Sequence, residues 1–254
     1  MFDLLVRFLR HLFGSGLPTP SRVPVRRRAP SRPAVAPAGD KAGAAVHAAM
    51  RQQDVVAIIG TAASAHYLAA PSPLGSAQLD ARVRGIPARL VRRGHPGHAT
   101  NYAAGLEQVR TWMAAKRDHR VRRAVLVSDG EDNTHRDHVL PLVGELRRLR
   151  VRLDCIAFAT SDAGAHERLG KIARAGGGTL LQARGLADLR SVLMKSGQRV
   201  PPRQPGHRLA DIALVIDTSA SMLATMPAEA GKRRIDVATQ ATLDWLAAQR
   251  LTYL

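Results

Sequence analysis

Three oxygen-bearing side chains stand at alternate positions near the end of this 254-residue chain: Asp217, Ser219 and Ser221. They follow a short apolar run rich in branched residues, which is typical of a strand buried on both faces. In an open α/β sheet, ligands bind just beyond the carboxyl ends of the central strands. A carboxylate and two hydroxyls are hard oxygen ligands of the kind that Mg²⁺ prefers. The spacing therefore predicts a divalent-cation site at the end of this strand.

Strands and helices alternate along most of the chain, which predicts a three-layer α/β fold with a doubly wound, mainly parallel sheet. Strands are predicted at residues 54–60, 65–69, 123–129, 151–158, 179–182 and 211–217, the second closed by Pro71 and Pro73. Helices are predicted at residues 40–53, 76–84, 107–116, 139–149, 166–175, 186–195 and 234–249.

The composition limits the core and indicates the partners. Hydrophobic residues make up 45% of the chain and aromatic residues only 4%, so the core must consist of Val, Leu, Ile and Ala. The net charge of +18 favours anionic partners without choosing among them. The one cysteine, Cys155, lies in a strand pattern and is expected to be a buried structural thiol. A chain with no intramolecular disulfide fits a reducing compartment, and we expect a cytoplasmic protein.

The first 39 residues differ from the rest of the chain. Residues 1–14 form a basic amphipathic pattern that is too short to span a bilayer, and Asp3 argues against a secretory signal. Residues 15–39 are rich in Arg and Pro and read as a disordered linker. We expect this part to pack on the protein's own surface or to stay disordered. The alternative is peripheral binding of anionic lipid, or of nucleic acid, through residues 1–33.

Three motifs together resemble the metal-ion-dependent adhesion site of von Willebrand factor A domains. The Asp-x-Ser-x-Ser stretch after a buried strand is the first. Residues 99–106 resemble the loop that supplies a metal-binding threonine, and residues 125–133 resemble the strand end that supplies the last aspartate. The resemblance covers about residues 40–195 and 209–250. It implies a Rossmann-like fold and a site for Mg²⁺ or Mn²⁺ whose ligands are Asp217, Ser219, Ser221, Thr100 and Asp129.

The resemblance implies a non-catalytic protein-binding module, in which an Asp or Glu of a partner protein completes the coordination of the metal. The rival is a metal-dependent hydrolase or phosphoryl-transfer enzyme. Its metal would be held by the acidic side chains of Asp129, Glu131, Asp132 and Asp217, or, for zinc, by His95, His98, His135 and His138. The sequence has no Walker loop, dinucleotide fingerprint or nucleophile elbow, and the histidines lie in loop and polar surroundings, so we favour the binding module.

Each candidate ligand also has a purely structural interpretation. Ser219 and Ser221 could cap the segment that follows them, and Thr100 could be the N-cap of its helix. Asp129 could close an Asx turn in its loop. Because all of these residues occur together with the family's spacing, we favour metal ligation.

The order of the motifs departs from the family, because the Asp-x-Ser-x-Ser strand comes last. The chain is either a permuted domain or the tail of one domain joined to the head of the next. We divide it into residues 1–39, a body at 40–195 without its usual first strand, a linker at 196–208, and a segment at 209–254. An unfilled gap between central strands would leave backbone groups unpaired. We therefore expect residues 211–217 to fill it, within the chain rather than in a domain-swapped homo-oligomer.

Limited proteolysis tests this division. Residues 15–39 should be cleaved first, because a segment that cannot bury a core offers an open backbone to the protease. Mass spectrometry of the early fragments identifies the cleavage sites. Early cleavage between residues 196 and 208 that released two independently folded pieces would contradict a single body.

Overall fold

The computed structural model of the chain describes residues 54–92, 99–115, 120–130, 136–198 and 209–251, and is built around a six-stranded sheet. The strands are β1 (Val55–Thr61), β2 (Ala65–Pro73), β3 (Val121–Ser128), β4 (Val151–Phe158), β5 (Gly177–Ala183) and β6 (Ala210–Asp217), with a separate ribbon of β7 (Thr225–Met226) and β8 (Lys232–Arg233). The helices are α1 (Ala77–Arg84), α2 (Ile86–Arg92), α3 (Tyr102–Ala114), α4 (Arg136–Arg148), α5 (Ala163–Ala175), α6 (Leu186–Gln198) and α7 (Arg234–Leu251). All the described residues belong to one compact unit.

The strand order of the sheet is β2-β1-β6-β3-β4-β5, and only β2 runs antiparallel to its neighbour. Strand β6 therefore lies between β1 and β3. In this register Asp217 pairs with Thr61 on one side, and Ile216 pairs with Val127 on the other. The prediction that residues 211–217 complete the sheet is confirmed, and they do so within one chain.

Side chains alternate between the two faces of β6 and enter two separate hydrophobic clusters. Ile212, Leu214 and Ile216 pack in one cluster with α1, α2, α6 and α7, whereas Ala213 and Val215 pack in the other with α3, α4 and α5. The strand is buried along its whole length. The prediction of an α/β fold with helices on both faces of a mainly parallel sheet is confirmed.

A buried polar cluster fixes the amino end of β6. The Arg120 guanidinium lies 2.9 Å from an Asp211 carboxylate oxygen, and both side chains are almost fully buried. The same guanidinium donates to the Ala210 carbonyl at 3.1 Å, and the Ala210 N–H donates to Asp54 at 2.7 Å. Removing one partner of a buried pair leaves a charge without compensation, so a strand shifted out of this register would be disfavoured.

Several predicted boundaries are wrong. Strand β2 continues through Pro71 to Pro73 instead of ending at residue 69, because it is an edge strand and proline is tolerated where no ladder bond is needed. Helix α3 already begins at Tyr102, where Asn101 caps it. Helix α6 extends to Gln198, into the predicted linker. Helix α2 was not expected.

Other predictions fall on residues 1–53 and 199–208, which lie outside the described part of the chain. Within the described ranges, the structure has no helix that is both long and apolar enough to cross a membrane. Cys155 is fully buried, and this burial raises the pKa of its thiol far above the usual range. The prediction of a buried structural thiol is confirmed.

Deleting residues 209–254 should leave an aggregating or molten remainder, because β1 and β3 would each lose the partner that pairs their inner edge. Size-exclusion chromatography and near-UV circular dichroism measure the result. A soluble 1–200 fragment with a cooperative unfolding transition would show that the first segment closes its own sheet.

Candidate metal centre

The carboxyl ends of β6 and β3 lie side by side at a topological switch point of the sheet, and we refer to the space just beyond them as the crevice. The chain leaves β6 toward α7, which packs on one face of the sheet, and leaves β3 toward α4, which packs on the opposite face. Adjacent parallel strands whose connections diverge in this way leave room for a ligand between the two loops. Asp217 ends β6, and Asp129 directly follows β3, so the two carboxylates lie at this crevice.

The Asp217 carboxylate is fully buried and held at both oxygens. Oδ1 accepts the Ser219 N–H at 2.8 Å, and Oδ2 accepts the Ser128 hydroxyl at 2.8 Å. The Ser128 oxygen also receives the Gly130 N–H at 3.0 Å and lies 2.6 Å from the Tyr102 hydroxyl. Since Ser128 gives its only proton to an ionised Asp217, Tyr102 is the donor to Ser128. These bonds fix the orientation of the carboxylate.

The two serines of the motif bond to each other. Ser219 occupies the N-cap position of a short 3₁₀ turn, Ala220–Leu223, but its side chain makes no capping bond. Its hydroxyl lies 2.8 Å from the Ser221 hydroxyl instead. The capping interpretation of Ser219 is therefore wrong, and the pair presents two neighbouring hydroxyl oxygens beside Asp217.

The buried Thr100 lies next to the same edge of the sheet. It does not cap α3, because the cap is Asn101, whose side-chain oxygen accepts the Ala104 N–H at 3.0 Å. The Thr61 hydroxyl donates to the Asn101 carbonyl, and Thr61 is the register partner of Asp217. The N-cap interpretation of Thr100 is wrong, and its loop is attached to the end of β1 beside the crevice.

Asp129 reaches the crevice through a turn that requires glycine. Gly130 has a φ of +100°, and a Cβ at this position would stand 2.1 Å from the Cβ of Ala165. One Asp129 oxygen, Oδ2, accepts an Arg234 N–H at 2.8 Å. The other, Oδ1, is buried and has no hydrogen-bond partner among the described residues. The Asx-turn interpretation is therefore not supported by the bonds of this carboxylate, and Oδ1 keeps its full capacity to bind a cation.

The electrostatics of the crevice favour a cation. Burial is the main reason why the pKa of Asp217 rises to about 7, and the negative charge of Asp129 raises it further, against the opposing hydrogen bonds from Ser219 and Ser128. Near neutral pH, Asp217 is thus close to its midpoint of protonation. A cation beside both carboxylates would stabilise their charged forms and lower this pKa.

The oxygen donors fit a hard divalent cation. Two carboxylates and the two serine hydroxyls lie at these strand ends, the buried Thr100 lies in the loop that is bonded to β1, and among the described residues Asp129 Oδ1 is a buried acceptor without a partner. The structure links Asp217, Ser219 and Ser221 by direct bonds, places Asp129 at the strand end next to that of Asp217, and links Thr100 to the edge through its neighbour Asn101.

The structure describes three residues of the alternative sites, which are Asp129, Asp217 and His138. Glu131, Asp132, His95, His98 and His135 fall outside the described ranges. His138 lies in α4 and lines an open groove of about 550 Å³ between α3 and α4. Among described residues, no group of three or more His, Cys, Asp or Glu side chains is arranged to hold a metal. The candidate set therefore relies on hydroxyl oxygens for three of its five ligands.

Sequence reasoning missed three residues of the site: Ser128, Tyr102 and Arg234. Ser128 directly precedes Asp129 at a strand end, which is a signal that could have identified it. Tyr102 resembles an ordinary core aromatic at the start of a helix. Arg234 is 105 residues from Asp129, and nothing in its local sequence indicates the contact.

No protein-family profile matches this sequence, and no curated protein matches it either. Among solved structures, the chain is similar to an uncharacterised membrane-spanning protein from Vibrio fischeri, with 15% identity and a TM-score of 0.30 over 64% of this chain and 85% of that one. It is also similar to the 54 kDa signal recognition particle protein from Aeropyrum pernix in complex with GDP. The identity is 14% and the TM-score 0.30, over 62% of this chain and 37% of that one. Similarity this low carries no argument about function.

The raised pKa of Asp217 predicts how stability depends on pH without metal. Because the folded pKa of about 7 exceeds the unfolded value of 3.8, the folded state binds more protons between these values, and stability falls as pH rises through this range. Asp217→Asn should remove this loss and raise the free energy of unfolding by about 2–4 kcal/mol at pH 8, with little gain at pH 4.

Urea unfolding in EDTA at both pH values measures the difference between the variant and the wild type. Asp244→Asn, on the far part of α7, is the matched control and should show no such pH-dependent gain. An equal effect of Asp217→Asn at pH 4 and pH 8 would contradict the raised pKa.

Proposed function

We propose that this chain is a divalent-metal-dependent binding module that captures an acidic side chain of a partner protein. The observation that carries the proposal is the pair of carboxylates, Asp217 and Asp129, that face one crevice at the switch point of the sheet. They are close enough for the charge of Asp129 to raise the pKa of Asp217, and Asp129 Oδ1 has no partner. Arg234 offsets one of the two negative charges through its bond to Asp129 Oδ2, and the pair stays unfavourable unless a further cation or a proton compensates the other charge.

Each residue of the set has a defined part in this proposal. Asp217 and Asp129 supply the negative charge that attracts Mg²⁺ or Mn²⁺, and Ser219, Ser221 and Thr100 supply neutral oxygens. When bound, the metal would act as the electrophile that attracts a further carboxylate. Three neutral ligands compensate none of the cation's charge, which supports its attraction for an acidic partner.

The neighbouring residues keep the ligands in place. The chain of bonds from Tyr102 through Ser128 to Asp217 Oδ2 fixes the carboxylate plane, and the Ser219 N–H fixes Oδ1. Ligands already oriented in the metal-free protein lose little conformational entropy on binding. The proposal includes no catalytic step.

The overall charge of the chain supports an acidic partner. A net charge of +18 attracts negatively charged proteins over distances of about a Debye length and raises their association rate. Long-range attraction of this kind is not specific. The metal would supply the specificity, because only a partner that presents an accessible Asp or Glu reaches the cation.

Mg²⁺ or Mn²⁺ should raise the melting temperature, because a ligand that binds only the folded state stabilises it by mass action. At about 100 times the dissociation constant, we expect a shift of about 5 °C or more. Asp217→Ala and Asp129→Ala should each abolish the shift. Asp244→Ala, an acidic residue far along α7, is the control and should keep it; a variant of Asp217 or Asp129 that keeps the full shift would show that its residue is not a ligand.

The acidic partner is tested by selecting a random peptide library on the purified protein in Mg²⁺ and then eluting with EDTA. Retained peptides should share an Asp or Glu, and Asp→Asn or Glu→Gln in a synthetic peptide should abolish its binding. Fluorescence anisotropy measures the binding of each peptide to the wild-type protein and to Asp217→Ala. Peptides that bind equally in EDTA would contradict metal-dependent capture.

A further inference from the structure

Arg234 places a positive charge directly on the candidate metal ligand Asp129. Its guanidinium donates to Asp129 Oδ2 at 2.8 Å, and the side chains are 24% and 4% exposed. A hydrogen-bonded ion pair with one nearly buried member is strong, because the surrounding dielectric constant is low. In the metal-free protein, Arg234 therefore compensates the charge of Asp129.

The position of Arg234 in its helix is unfavourable for a positive charge. It is the first residue of the 18-residue helix α7, where the helix dipole creates a partial positive charge that disfavours a cation. Its Nε is buried and has no hydrogen-bond partner in the described part of the chain. The pair with Asp129 is the interaction that offsets both costs, which argues that this contact, rather than helix stability, determines where the side chain lies.

The adjacent Arg233 provides a comparison. Its guanidinium makes two hydrogen bonds, of 2.7 and 2.8 Å, to Asp236 in the first turn of the same helix. That pair is local and about one-third exposed. Two neighbouring arginines of equal charge thus have different partners, and only Arg234 reaches the crevice.

We infer that Arg234 is an internal counter-cation that competes electrostatically with the divalent metal for Asp129: the metal binds the open Oδ1, and its positive charge displaces the guanidinium from Oδ2. The inference rests on the proposed function and concerns the regulation of the same site. With Arg234 in place, the charges of Asp217, Asp129 and Arg234 sum to −1 when both carboxylates are ionised; with Arg234 displaced, the two carboxylates present −2. The partial exposure of Arg234 gives its guanidinium access to solvent when it leaves.

Isothermal titration calorimetry with Mn²⁺ at low ionic strength tests the competition. Arg234→Gln should bind Mn²⁺ about tenfold more tightly than the wild type, because the competing charge is gone. Arg234→Lys keeps the charge and should stay within about threefold of the wild type. Arg233→Gln changes the net charge of the chain equally without touching Asp129, and should change the affinity less than twofold.

A second measurement uses the wild type alone and does not depend on how a variant folds. The Nη–H groups of Arg234, observed by ¹⁵N NMR, should rotate slowly in EDTA, where the ion pair restrains them. They should become mobile when Mg²⁺ saturates the protein, whereas the groups of Arg233 should not change.

The outcomes separate this inference from the proposed function. If the wild type binds Mn²⁺ and Arg234→Gln binds it equally or more weakly, the counter-cation inference is wrong and the metal site stands. If Arg234 stays restrained in saturating Mg²⁺, the inference is also wrong. If neither the wild type nor any variant binds metal, the counter-cation inference and the proposed function are both wrong.

Discussion

Strand β6 must lie between β1 and β3, and the rest of the structure depends on this pairing. Its backbone bonds to both neighbours in parallel register, and all eight of its residues are buried. Without it, two rows of N–H and C=O groups would lie unpaired between two hydrophobic layers, and each unpaired buried group has a substantial free-energy cost. The same strand carries Asp211 at its amino end and Asp217 at its carboxyl end. One strand therefore both completes the sheet and positions the candidate site.

The buried carboxylates at the two ends of β6 have different surroundings. At the amino end, Asp211 is paired with Arg120 at 2.9 Å, so the charge is compensated within the fold. At the carboxyl end, the described residues give Asp217 hydrogen bonds but no cation, and burial together with Asp129 raises its pKa. Buried carboxylates without a cation are uncommon in structural positions and typical of functional sites. This contrast within a single strand is the reason why the carboxyl end of β6, and not its amino end, is the candidate site.

Much of the fold was predictable from the sequence, because the signals were local or followed from burial. Runs of branched apolar residues identified the buried strands, and a strand apolar on both faces must have two neighbours, which placed residues 211–217 at the centre. Asp217, Ser219 and Ser221 were identified from their spacing. Arg234 was not, because its contact depends on how loops 105 residues apart converge. The course of β2 through Pro73 depended on its being an edge strand, which propensity does not reveal.

The chain order has a consequence for how the protein is made. The ribosome synthesises β1 through β5 before it reaches β6, and the Ala210 N–H finds its acceptor on Asp54, 156 residues earlier. Until then the nascent chain holds a central gap with open strand edges, and closure requires contacts of high sequence separation, which form slowly. Such an intermediate exposes surfaces that chaperones bind. The candidate metal site can form only with this late step, and the partner capture proposed above would have to follow it.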